Sequence, residues 1–139
     1  MTTGINHITF AVTDLPRAIE FYVSIIGCKK VAIWKRGAYL QAGSMWICLS
    51  LDAAAADSAA RDCTHVAFNF DAPGLAAFRT RFTETGGTEW KTNSSEGDSV
   101  YFLDPDGHRL EAHVGDLRSR LESLVRKPYE GLTIYTHDV

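Results

Sequence analysis

The sequence predicts an α+β fold built from two βαβββ repeats that form a cupped mixed sheet, closed by a C-terminal helix. Two observations carry this. Strand-like segments at Ile5–Val12 and Thr64–Phe70 each hold a histidine near the start, and each is followed by a helical pattern and three β-rich runs. The two copies also keep phase, with His7 fourteen residues before Phe21 and His65 thirteen before Phe78. A third observation, the strict alternation of polar and apolar residues in the strands, gives each sheet one face for the core and one for a cavity. At 139 residues the chain makes one domain, residues 1–139, with repeat one at about 4–52, repeat two at about 63–115 and a helix at about 116–126.

Each element has its own signal. After the first strand, Asp14 is placed to cap a helix running from Leu15 to about Gly27, with Pro16 in its first turn. Ile19, Tyr22, Val23 and Ile26 recur there at helical spacing. Strands are expected near Lys30–Trp34, Ala38–Ala42 and Trp46–Leu51. In the second repeat a helix over Gly74–Thr85 shows Leu75, Phe78 and Phe82 on one face and stops at Gly86-Gly87. Strands follow near Thr88–Lys91, Ser99–Leu103 and Arg109–Val114. The Ala-rich linker Ala53–Arg61 has few large apolar residues and is expected to be exposed. Leu117, Leu121 and Leu124 after Asp116 give the last helix a packing face.

Composition narrows the function. A hydrophobic fraction of 45% with 22% charged residues is that of a globular protein. The net charge of −3 and the dispersed basic residues disfavour a nucleic-acid partner. The N-terminal Met-Thr-Thr-Gly-Ile-Asn-His lacks the pattern of a secretory signal, and no apolar run approaches a membrane span. Cys28, Cys48 and Cys63 are odd in number and widely spaced, which fits reduced thiols in the cytoplasm, each expected as a small buried hydrophobe.

The run Tyr101–Val114, Tyr-Phe-Leu-Asp-Pro-Asp-Gly-His-Arg-Leu-Glu-Ala-His-Val, reads as a hairpin whose last strand carries Glu111. By alternation His7 shares a face with Thr9 and Ala11, His65 with Ala67 and Asn69, and Glu111 with Arg109 and His113. Ser99 and Tyr101 likewise oppose Val100 and Phe102. Two imidazoles and a carboxylate on three strands form a recurrent ligand set for a divalent metal with open positions. His108 falls at a turn, His113 lies beyond reach along its strand, and His137 is in the tail, so these three are expected to be non-ligands.

Several segments together resemble the glutathione-dependent fosfomycin-resistance transferases of the vicinal oxygen chelate superfamily. They are Asn6-His7-Ile8-Thr9, Gly37-Ala38-Tyr39-Leu40, Trp46-Ile47-Cys48-Leu49-Ser50, the run Trp90–Ser99, and above all Tyr101–Leu121. The resemblance runs from about residue 4 to residue 131 and implies a homodimer whose sites combine both chains. It implies Mn²⁺ on His7, His65 and Glu111, and addition of glutathione's thiol to the epoxide of fosfomycin, an antibiotic bearing a phosphonate. It further implies Lys91, Arg120, Ser95, Ser99 and Tyr101 around the phosphonate and Thr9 near the epoxide oxygen. Of these, Thr9, Lys91 and Arg120 would act in catalysis, and Tyr39 and Trp46 would line the pocket. The loop Asn93–Ser99 resembles a K⁺ loop, with Asn93, Ser95, Gly97 and Ser99 as its ion-binding positions.

Two positions depart or discriminate. Relatives commonly carry tyrosine two residues before the second histidine, where this chain has Cys63, which alters one pocket wall. Sibling epoxide hydrolases use a glutamate near the position of Gly37, and Lys35-Arg36-Gly37-Ala38-Tyr39 holds no carboxylate, which favours thiol transfer over hydration. The competing readings are an extradiol dioxygenase using Fe(II) on the same ligand set, or a drug-binding protein without chemistry.

Overall fold

A computed structural model of the chain describes residues 1–57, 63–94 and 96–135. The expected mixed sheet is divided, within one chain, into two sheets of four strands. In the first, β1 (His7–Val12) lies at the edge, parallel to β4 (Met45–Leu51), and β3 (Gly37–Ala42) and β2 (Lys29–Trp34) follow antiparallel. The second repeats the order: β5 (Val66–Asn69) at the edge, parallel to β8 (Arg109–Val114), then β7 (Asp98–Leu103) and β6 (Glu89–Lys91). The parallel contact between first and last strand of each repeat requires a long crossover, and the helix supplies it. The two histidine-bearing strands are shorter than expected: His7 opens β1 and His65 stands just before β5.

Local chemistry explains the helices. Asp14 caps α1 (Leu15–Glu20) by accepting from the Arg17 amide at 3.0 Å. From Phe21 to Ile26 the helix widens to π geometry, which the expected regular helix did not include. Here the amides of Gly27 and Cys28 both donate to the Tyr22 carbonyl, at 3.2 and 2.9 Å, and Gly27 with φ of 98° ends the helix. Tyr22 and Ile26 are both buried in the core. The second helix, α2 (Ala72–Glu84), starts before the expected Gly74 because the Asp71 carboxylate accepts from the Gly74 amide at 2.7 Å. Leu75, Phe78 and Phe82 are buried as the spacing predicts. α3 (Leu117–Arg126) opens with a reciprocal cap between Asp116 and Ser119. Its expected packing face is only partly covered within one chain: Leu117 is exposed, and Leu121 and Leu124 are half-buried.

Two further expectations are corrected. Ala53–Asp57 forms a 3₁₀ turn in which Ala53 and Ala54 are exposed as expected but Ala55 is buried, while residues 58–61 lie outside the described residues. The cysteines are not alike. Cys28 is buried, which pushes its thiol up to about 11, Cys48 is half-buried, and Cys63 is exposed because it precedes the strand rather than entering the sheet.

One apolar core serves both repeats, joining Phe10, Val12, Tyr22 and Leu49 to Phe78, Phe102 and Leu110. The turn between β7 and β8, Asp104–His108, latches onto the first repeat at its rim. Asp106 accepts from the Thr13 amide at 3.0 Å and hydroxyl at 2.5 Å, and an imidazole nitrogen of His108 lies 2.6 Å from the Ala11 carbonyl oxygen. The Tyr22 hydroxyl donates to Asp104 at 2.9 Å. Burial pushes the Asp104 carboxyl up, and its hydrogen bonds and the nearby His108 recover part of that shift. Each bond to such a buried carboxylate is worth about 1.5–3 kcal/mol. Tyr22→Phe should therefore lower unfolding free energy by that amount, and Asp104→Ala, which also orphans two amides, by more. Denaturant titration checks this, and an unchanged midpoint in Tyr22→Phe would remove the latch from the stability of the fold.

Candidate metal centre and substrate site

The β7–β8 register places Tyr101 opposite Glu111 and Ser99 opposite His113, while β5 brings Ala67 beside Glu111 from the other side. Glu111 is thus on the central strand pair of the second sheet, 6% exposed, with each carboxylate oxygen spoken for. Oε1 accepts from the Ser99 hydroxyl at 2.6 Å, and Oε2 lies 3.0 Å from Nε2 of His65. Burial alone would raise the Glu111 carboxyl. The hydrogen bonds from Ser99 and His65, with the charges of His113 and His65, outweigh it and hold the group below its ordinary value.

The donor chemistry of this pair fits a divalent ion. Nδ1 of His65 is 2.6 Å from the Cys63 carbonyl oxygen, which can only accept, so Nδ1 carries hydrogen. Nε2, facing a carboxylate oxygen, then holds its place either as a second N–H donor or with a cation between the two. His65 Nε2 and Glu111 Oε2 stand 3.0 Å apart, so the two would be placed to hold one ion together. The backbone of residue 63 does this orienting, so the side chain of Cys63 does not set the imidazole's tautomer.

Among the described residues no three His, Cys, Asp or Glu side chains converge to hold a metal within one chain. His7 accounts for this: it opens β1 of the other sheet, with its ring tilted 33° against Trp46 at 4.4 Å and Nδ1 2.7 Å from Asn6 Oδ1. The expected site residues accordingly divide into two groups. On the first sheet stand His7, Thr9, Tyr39 and Trp46, with Tyr39 edge-on to Trp46 at 5.0 Å. On and beside the second stand His65, Lys91, Ser99, Tyr101, Glu111 and Arg120.

The second group forms a continuous wall. The Tyr101 ring is 5.7 Å from the His65 ring, and the Lys91 ammonium sits over it at 4.9 Å. Trp90 closes the side, 5.5 Å from His65, with the Arg109 guanidinium above it and its indole N–H donating to the Leu110 carbonyl at 3.1 Å. Sequence reasoning had no role for Trp90 or Arg109; an aromatic one residue from an expected anion-binding lysine was the available signal. Arg120, from α3, donates to the Glu96 carbonyl at 3.2 Å and pairs with its carboxylate at 3.5 Å, tying the helix to the 93–98 loop. In that loop Asn93 donates to the Gly97 carbonyl at 2.9 Å, while Ser99 directs its hydroxyl to Glu111 rather than into the loop. Ser95 and His137 lie outside the described residues. His108 binds the Ala11 carbonyl as a turn residue should.

Two four-stranded βαβββ units sharing one core, with ligand-type side chains on the faces turned from that core, define the vicinal oxygen chelate fold. The chain belongs to the Glyoxalase/Bleomycin resistance protein/Dioxygenase superfamily, whose family model matches residues 4–112. It is 43% identical to the glutathione transferase FosA of Serratia marcescens, over 99% of both chains. It is 36% identical to the metallothiol transferase FosB of Shouchella clausii, over 87% of this chain and 86% of that one. Among solved structures it is similar to the fosfomycin resistance protein FosX of Listeria monocytogenes complexed with Mn(II) and sulfate. The TM-score is 0.73 and the identity 26%, covering 88% of this chain and 98% of that one.

Truncating a direct ligand should cost more than the roughly 10–100-fold that loss of an outer-shell partner costs. His65→Ala and Glu111→Ala are each expected to abolish tight Mn²⁺ binding in calorimetric titration, and wild-type affinity in either would remove that residue from the centre.

Proposed function

We propose that this chain is a metal-dependent transferase that adds the thiol of glutathione to the epoxide of fosfomycin and so inactivates the antibiotic. The observation that carries the reading is the His65–Glu111 pair, walled by Tyr101 and Lys91, in a chain 43% identical from end to end to a glutathione transferase. The ion would be Mn²⁺ on His65 and Glu111 of one chain and His7 of a second copy. The division of the ligands between two sheets supports that composite site, and with it a homodimer. The half-covered apolar face of α3 suits an assembly of this kind.

When bound, the ion would supply Lewis-acid stabilisation to the epoxide oxygen. The chain's residues do the rest. Lys91 and Arg120 offset the phosphonate charge, with Tyr101 on the same wall, while Ser99 serves the site through its hydrogen bond to Glu111. Tyr39 and Trp46 form an apolar side that excludes water from the small substrate. The thiol sulfur attacks an epoxide carbon, a C–S bond forms as the C–O bond breaks, and the proton that the thiol gives up is balanced by the one the freed oxygen takes up close to the Thr9 hydroxyl. The nucleophile comes from glutathione, so none of the three cysteines is required. K⁺ in the Asn93–Ser99 loop, on Asn93, Ser95, Gly97 and Ser99, would add positive charge beside the phosphonate. The reading places the enzyme in the cytoplasm, where glutathione is reduced; among the described residues no helix is long and apolar enough to cross a membrane.

Thiol transfer is favoured over hydration by the shape around Gly37. A Cβ there would stand 2.4 Å from the Trp34 ring and 2.8 Å from the Leu49 carbonyl oxygen, so the position has no room for a water-activating carboxylate.

The decisive experiment is a mass spectrum of fosfomycin after incubation with the protein, Mn²⁺ and glutathione. The glutathione adduct is expected, forming faster in K⁺ than in Na⁺ at constant ionic strength. A hydrated product would mean a hydrolase, fosfomycin retained at its own mass a binding protein, and equal rates in both salts a loop without a monovalent ion. The composite site has its own test. Mixed His7→Ala and Glu111→Ala chains, each inactive alone, should regain activity, since one of two hybrid sites is intact. Hybrids that form and stay dead would rule out the cross-chain site.

A further inference from the structure

His113 is seated in a way that its position on the strand did not foretell. Its side chain is 16% exposed and its ring is bracketed by two glycines. A Cβ on Gly97 would stand 2.7 Å from Cε1 of the ring, and one on Gly115 2.9 Å from Nε2. Gly97 also has φ of +82°, a left-handed conformation that side chains resist. The seat thus needs bare backbone on both sides.

The ring serves a hydrogen-bonded relay. Ser99, 5% exposed, places its hydroxyl oxygen 2.7 Å from Nδ1 of His113 and 2.6 Å from Oε1 of Glu111. The direct approach of Nδ1 to Oε1 is longer, 3.4 Å. A serine hydroxyl has one hydrogen to give. The ionised carboxylate can only accept, so that hydrogen points to Oε1, and the serine oxygen must accept from Nδ1–H. The chain therefore runs one way, His113 N–H to Ser99 O–H to Glu111. It occupies Oε1 and leaves Oε2 facing Nε2 of His65 at 3.0 Å.

We propose that His113 is a positioning residue for the metal centre: acting through Ser99, it fixes the Glu111 carboxylate so that Oε2 is the oxygen presented to the ion. This rests on the reading of Glu111 as a ligand. The seat also joins the ligand strand to the 93–98 loop at Gly97, so the loop's placement and the carboxylate's orientation are one packing problem.

The test is Mn²⁺ titration calorimetry on the full chain, with thermal unfolding recorded for each variant. His113→Leu keeps bulk and removes the donor, and it should weaken Mn²⁺ about 10–100-fold, the usual cost of an outer-shell partner. His113→Asn, whose amide nitrogen reaches the place of Nδ1, should recover most of that loss. Ser99→Ala should match His113→Leu, and the double variant should be no worse than either, as members of one relay behave. Wild-type affinity in a folded His113→Leu chain, no recovery with Asn, or additive losses would overturn the relay. If His113→Leu does not fold, Ser99→Ala decides alone, and wild-type affinity there overturns it. Glu111→Ala separates the two ideas. Normal Mn²⁺ binding in that variant would sink the ligand reading and this inference with it, whereas loss there without loss in His113→Leu would sink only this inference.

Discussion

The carboxylate of Asp104 organises the hairpin on which the candidate site stands. One oxygen accepts from the amides of Asp106 and His108, both at 2.9 Å, and the other from the Tyr22 hydroxyl. The first pair shapes the turn, and the turn sets the register of β7 on β8. A slip of one residue would send Glu111 into the core and Leu110 or Ala112 into the cavity. The third bond ties the same turn to the helix of the first repeat. Fold and site are thereby coupled through a single buried acid, with Thr13–Asp106 and the His108 contact to Ala11 on either side of it.

Around this constraint the two repeats are alike in topology and unlike in chemistry. Each sheet has its first strand at the edge beside its last. In the second sheet the polar face holds a hydrogen-bonded set running through His65, Glu111, Ser99 and His113. The corresponding face of the first carries His7 against an aromatic row, Trp46, Tyr39 and Trp34. A polar half and an aromatic half suit a small anionic substrate with one reactive ring: charge is met on one side and water excluded on the other. Their separation onto two sheets makes assembly part of the proposed chemistry.

Much of this was legible in the chain. The order of elements followed from repeated strand–helix–strand patterns, and most strand boundaries fell within a residue or two. The cap at Asp14 was readable because an acid precedes the helical pattern, while Asp116 was read only as the residue before the last helix. Asp71, by the same chemistry, advanced α2 beyond its expected start. The π turn at Phe21–Ile26 was not legible: Ile19, Tyr22, Val23 and Ile26 satisfy a regular helix equally well. Nor was the partial exposure of α3, because periodicity marks a face without saying what covers it.

By itself the sequence determined which face of each strand is polar, since alternation along a strand is fixed by backbone geometry. That sufficed to name His7, His65 and Glu111 as candidate ligands. Distances across the sheet were decided only by the tertiary structure. Ser99 and His113 are fourteen residues apart and Trp90 and Leu110 twenty, and none of these pairings has a local signature. Hydrogen-bond direction was also a tertiary matter, because the tautomer of His65 is set by the carbonyl of Cys63 and the seat of His113 by Gly97 and Gly115. Local pattern selects side-chain types, and only packing brings them within bonding reach.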